Sequence, residues 1–132
     1  MRIDKHDIPT AIDVPGAKAR QQADFGGTDG CGTLAAEYFS LAAGTDIAPL
    51  LHGLEDDTCQ APHWGYMISG QVVVSYTGGR SEDTCSSGDV FHWPAGHSVR
   101  VVDDAEVILF SPHEQHAAVL DHMKSVMAGA PD

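Results

Sequence analysis

The sequence predicts an all-β domain: a small barrel preceded by an extended N-terminal arm and followed by one α-helix. Three observations carry this expectation. From Thr33 onward, short runs of strand-forming residues recur at spacings of roughly 10 residues, the rhythm of a sandwich or barrel. Gly- and Pro-bearing turns separate those runs. Only the segment after Ser111 repeats its apolar residues at helical spacing. At 132 residues the chain has room for one core and not two.

The elements follow in order. Residues 1–30 mix Pro9, Pro15, Gly16, Gly26, Gly27 and Gly30 with most of the Lys and Arg, and no period is sustained. They are expected to form an extended arm lying across the barrel or a partner subunit. Residues 31–112 are expected to form the barrel. Its first strand candidate is Leu34 to Leu41, and a second runs from Asp46 to Leu51 with Pro49 marking an edge or bulge. Gly53 to Asp57 reads as an acidic turn. Tyr66 to Tyr76 is the clearest strand signal, kinked at Gly70 and closed as a hairpin by Tyr76-Thr77-Gly78-Gly79. Val90 to Trp93, Ser98 to Val102 and Glu106 to Phe110 complete the set. Ser111-Pro112-His113-Glu114 has the form of a capping box, so a helix is expected over 112–128. Val119, Leu120, Met123, Val126 and Met127 share one face of it, as does His116. His113 and His122 fall elsewhere on the helix surface.

Charge limits the partners. Net charge is −12, and Arg80 and Arg100 are the only cations between Gln21 and His122. Phosphate backbones and anionic lipid surfaces need clustered Lys and Arg, so nucleic acid and membrane are not expected partners. No apolar run reaches the roughly 20 residues of a membrane span, and the N-terminus lacks a signal-peptide stretch. A cytoplasmic location is the expectation. Cys31, Cys59 and Cys85 are too few and too scattered for a disulfide framework, so free thiols are expected.

Two segments place imidazoles beside turns and strands: Pro62-His63-Trp64-Gly65-Tyr66-Met67-Ile68-Ser69-Gly70, and Gly88-Asp89-Val90-Phe91-His92-Trp93-Pro94-Ala95-Gly96-His97. In their Gly and Pro spacing they resemble the two motifs of the cupin superfamily, and the resemblance covers roughly Leu34 to Pro112. Gly70 matches the first-motif glycine; Gly88-Asp89, Pro94 and Gly96 match the second motif. The resemblance implies a cupin-like β-barrel of the double-stranded β-helix or jelly-roll type. The usual ligand positions are filled differently. His63 stands where the family has Glu, Asp57 and Cys59 stand at the His-x-His pair, and Val99 stands at the second-motif His, with His97 two residues early.

Cys59, His63 and His97 are therefore the candidate metal ligands, with Asp57, His52 and His92 nearby. Thiolate and imidazole suit Zn²⁺, Fe²⁺ or copper, and three protein ligands would leave an open position. Pro62 and the strand pattern oppose a helix between Cys59 and His63, so those two would have to meet across a turn. Tyr38, Met67, His92 and Arg100 are candidate pocket residues. Each also has a plainer use: His63 as a buried turn histidine, Cys59 as a small core residue, His97 as a solvated turn residue, and Arg100 in a surface salt bridge to Asp103 or Asp104. The remaining aromatic residues suit core packing or a subunit interface.

The resemblance implies a metal-dependent enzyme of dioxygenase or isomerase type acting on a small organic molecule. The alternative is a metal-free module that binds or senses a small ligand. No nucleophile elbow, phosphate loop or Cys-x-x-Cys pair is present. An open barrel exposes sheet edges and an apolar outer face, so a homodimer is expected, with Ile8 to Phe25 against the partner or across an edge.

Overall fold

The structure is a computed structural model that describes residues 1–28, 30 and 32–129. Cys31 lies outside the described residues. The chain forms strands β1 (Thr10–Val14), β2 (Ala17–Gln22), β3 (Gly27–Thr28), β4 (Gly32–Leu41), β5 (His63–Tyr76), β6 (Asp83–Ser86), β7 (Val90–Trp93) and β8 (His97–Pro112), then helix α1 (His113–Met127). All pairings are antiparallel, in the order β1-β2-β4-β8-β5-β6, with β3 on β4 and β7 on β5. The sheet curls into a barrel that does not close. No helix among the described residues is long and apolar enough to cross a membrane.

Alternation along the strands builds the core. Met67, Val72 and Val74 of β5 meet Val99, Val101, Val107 and Leu109 of β8, joined by Phe91 and Trp93. Alternate residues face out. Two motif glycines have backbone reasons. Gly70 has φ +82, and a Cβ there would stand 2.1 Å from the Asp104 carbonyl oxygen, at a point where the β5–β8 register slips. Gly96 has φ +90 in the turn before β8, with Thr77 Oγ1 2.7 Å from where its Cβ would be. Both positions use the left-handed region that glycine enters without penalty.

Several elements differ from expectation. Residues 10–22 of the arm are not irregular: Pro15-Gly16 turns them into the β1–β2 hairpin, and β2 pairs with β4 from Ala17↔Leu41 to Gln22↔Ala36. Short strands with mixed burial leave no clean alternation to read. Asp46 to Leu51 is not a strand. Asp46 makes one bridge to Arg100, its carboxylate accepts the Ala48 N–H at 2.9 Å, and Pro49 then starts a 3-10 turn over Ala48–Leu51. The two predicted late strands are a single long β8. Strand β6, whose polar Asp83-Thr84 start hides it, returns from the turn after Tyr76 to pair with β5.

The capping box does not form. Ser111 is still strand, paired with Ala35, and its hydroxyl points inward to Glu37 instead of capping the helix. Helix α1 starts at His113 with no side-chain cap. Its Val119 and Leu120 are buried over the open side of the barrel, Val119 against Leu51, Cys59 and Ala61 and Leu120 against Ile12 and Ala19.

Candidate metal centre

The starts of β5 and β8 and the loop that carries Cys59 come together beneath α1. Cys59 and His97 pair as backbone neighbours: the Cys59 N–H donates to the His97 carbonyl at 2.8 Å, and the Gly96 N–H donates to the Cys59 carbonyl at 2.8 Å. Four residues later the chain turns back at Pro62 and starts β5 with His63. Its Nε2 stands 3.7 Å from Cys59 Sγ. The ring centroids of His63 and His97 are 4.9 Å apart. The donor atoms of Cys59, His63 and His97 lie within 4.8 Å of one another, and all three residues are buried.

The hydrogen-bond network assigns the imidazole tautomers. The Ser111 hydroxyl donates its one proton to Glu37, so its oxygen accepts from His63 Nδ1–H at 2.6 Å. His63 Nε2 then carries its lone pair toward Cys59. His97 Nδ1–H donates to the Pro94 carbonyl at 2.8 Å, which frees its Nε2 in the same way. Glu37 accepts from Ser111, from His116 Nδ1 and from Gln21 Nε2, the last at 3.1 Å. A ligand histidine whose second nitrogen is tied to a carboxylate relay or a carbonyl is the usual arrangement around a metal.

Electrostatics favour ligands over acids. Burial, reinforced by the imidazoles of His116, His97 and His92, holds His63 well below the ordinary histidine range. Burial also brings His97 down to about 4, against the opposing Pro94 carbonyl. Both rings are neutral at pH 7. Burial pushes the Cys59 thiol up to about 12, with the Glu37 charge acting in the same direction and the Ala61 hydrogen bond opposing. An activated nucleophilic cysteine needs the opposite shift. The Cys59–His63–Ser111–Glu37 chain therefore does not work as a thiol protease-like relay. A cation beside Sγ would favour the thiolate. Tetrahedral ligation with bonds of about 2.0–2.3 Å separates sulfur and nitrogen donors by about 3.5 Å, near the 3.7 Å between Cys59 Sγ and His63 Nε2.

A second acidic grouping, Glu37, His63 and His116, shares the site. Its carboxylate and imidazole are already hydrogen-bonded to each other, and His63 faces it through Nδ1, the nitrogen committed to Ser111. It serves as the support of the first group.

Strand alternation turns Tyr38, His92 and Arg100 away from the cluster. Tyr38 sits between inward Glu37 and Phe39; its hydroxyl donates to Glu106 and its ring meets Lys5 and His6 on the outer face. His92 alternates with Phe91 and Trp93, is exposed, and stacks on Trp64 at 4.7 Å. Arg100, between Val99 and Val101, is exposed and donates to Glu82 at 3.2 Å, not to Asp103 or Asp104. Met67 points inward but is packed in the central core, apart from the cavity residues. His52 and Asp57 contact each other on the surface at 3.5 Å, away from the cluster.

Glu37, Ser111 and His116 were not expected in the site. Glu37 left one trace: a carboxylate in phase with Ala35 and Phe39 inside an apolar strand run. Above the cluster lies a largely apolar cavity of about 90 Å³, whose polar lining residues are Thr45, Cys59, His63, His97 and His116.

No known protein-family profile matches the sequence, and no curated protein matches it. Solved structures do. A single-site variant of oxalate decarboxylase from Bacillus subtilis superposes with a TM-score of 0.60 at 22% identity, over 84% of this chain and 29% of that one. A second variant of the same enzyme gives 0.61 at 22% identity and the same coverage. A conserved protein of unknown function from Streptococcus pyogenes gives 0.52 at 17% identity, over 73% of each chain. The chain thus spans less than a third of the decarboxylase. At these identities the likeness concerns architecture, and with the motif glycines in place it establishes that this chain has a cupin-like fold.

Proposed function

We propose that this protein binds one divalent transition metal through Cys59 Sγ, His63 Nε2 and His97 Nε2, and presents its open position to a small organic molecule in the cavity under α1. The observation that carries this reading is the convergence of one thiol and two neutral, oriented imidazoles on a largely apolar cavity. The donor set suits Zn²⁺, Fe²⁺ or copper. When bound, such an ion supplies Lewis acidity or, if redox-active, access to dioxygen. The chain's own part is to hold the ligands and exclude water. Ser111 and Glu37 fix the His63 tautomer, the Pro94 carbonyl fixes His97, and Trp93, stacked on Phe91 at 3.9 Å, walls off the cluster. Dioxygenase or isomerase chemistry is the reaction class this arrangement suits. The decarboxylase likeness supports a small substrate only by analogy of fold.

A metal-free ligand-binding role is the second reading. What favours it is that the Cys59 thiol already has partners, the Ala61 carbonyl at 3.6 Å and His63 at 3.7 Å. Elemental analysis of untagged protein separates the two. About one equivalent of a transition metal supports the first reading; less than about 0.1 equivalent after reconstitution rejects it.

The same reading includes a homodimer. On the outer face of β5, β7 and β8, Trp64 is 46%, Tyr66 45%, Val90 82% and Phe110 37% exposed. Trp64 is paired with Phe110 and His92, and Tyr66 with Val90, so they form one patch. None of them is charged. In a chain of net charge −12 this is the face on which two copies can meet without burying carboxylates.

A further inference from the structure

The cavity under α1 restricts what can reach the cluster. Its volume is about 90 Å³, and its walls include Leu51, Val99, Val119, Leu120 and Met123. A dry apolar cavity of about 150 Å³ accommodates six-carbon benzene, so this one has room for about four heavy atoms. Charge is restricted as strongly as size. Among the described residues no Lys or Arg lines the cavity. The Arg20 guanidinium is held outside by the carbonyls of His6 and Ile8, Arg100 by Glu82, and Lys18 by Asp13. Of the ionisable side chains in the lining, His116 is committed to the buried Glu37 carboxylate, so it has no charge to spare for an anion. A bound divalent ion would not reverse this for a dianion, because the Cys59 thiolate cancels one of its two charges. Burial of the surplus negative charge with no partner is heavily penalised.

We propose that the cavity takes a neutral molecule of about four heavy atoms with one carbonyl- or hydroxyl-type oxygen directed at Cys59, His63 and His97, and that it rejects dicarboxylates. The direction of the oxygen rests on the metal reading above; the limits of size and charge do not. This separates the protein from its decarboxylase structural neighbours in substrate class while the fold is shared.

Acetone, oxalate and cyclohexanone test the proposal, because they differ in charge and size. Each is titrated into the full chain, zinc-loaded and chelator-treated, while methyl NMR follows Leu51, Val99, Leu120 and Met123. Acetone is expected to shift these methyls in both forms, in the millimolar range open to so small a ligand. Oxalate is expected to bind at least about tenfold more weakly, and cyclohexanone to leave the methyls unmoved. Oxalate binding as tightly as acetone in either form overturns the proposal, as does acetone leaving the methyls unmoved. Zinc is measured in the same samples. Failure to take it up counts against the metal reading alone, and the chelated protein still decides this one.

Discussion

Glu37 has no exposed surface, and its carboxylate receives Gln21, Ser111 and His116. Through Ser111 it orients His63 without touching the cluster's donor atoms, so it is a positioning residue. Glu37→Gln places an amide among three donors, and Ser111→Ala leaves His63 Nδ1 unsatisfied. Each is expected to weaken zinc binding about 10- to 100-fold and to cost about 1–3 kcal/mol of stability, measured by competition with a chelating dye and by urea unfolding. Unchanged zinc affinity in both variants would show that the relay does not orient the ligand. His97 gives a pH prediction. Its folded value of about 4 lies below the unfolded value of 6.5, so the unfolded chain binds the proton first as pH falls. The metal-free protein should therefore lose stability from about pH 6.5 down to 4, on the order of 3 kcal/mol from this group. His63 acts in the same direction. Denaturant curves at pH 7.5 and 4.5 should differ less for His97→Gln than for the parent protein.

Among the elements, those announced by local chemistry were legible and those fixed by distant partners were not. Gly70 and Gly96 signal backbone conformations that few other residues adopt, so the kink in β5 and the turn before β8 could be read directly. Cys59, His63 and His97 could be nominated because they stand at or beside the ligand positions counted from those glycines in the cupin resemblance. Ser111-Pro112-His113-Glu114 satisfies every local rule for a helix start, yet β4 pairs with Ser111 and draws its hydroxyl to Glu37. Tertiary pairing outweighed a cap worth about 1 kcal/mol. Tyr38, His92 and Arg100 were misplaced because the face of a strand depends on register, and one step reverses it. Gly70→Ala tests the β5–β8 geometry. With φ +82 and a backbone oxygen 2.1 Å from the new Cβ, the variant is expected to lose at least about 2 kcal/mol in thermal or urea unfolding. Parent-like stability would show that β5 and β8 approach less closely.

In the molecule as a whole, the open sheet leaves two matters to other surfaces: α1 and the β1–β2 hairpin cover the cavity, while the outer patch around Trp64 stays exposed. Light scattering at tens of micromolar should report a dimer, and Trp64→Glu with Tyr66→Lys should return a monomer with unchanged secondary structure. A monomeric parent protein would reject the assembly. The metal reading is tested most directly by titrating metal-free protein with Co²⁺ and following sulfur-to-cobalt charge-transfer absorption. One equivalent should bind, and Cys59→Ser should abolish the band while Cys85→Ser retains it. Because the Cys59 thiol is protonated up to about pH 12, binding must displace one proton, so affinity should rise about tenfold per pH unit between about pH 6 and 8. Absence of the charge-transfer band, or its persistence in Cys59→Ser, would contradict a metal centre at Cys59, His63 and His97.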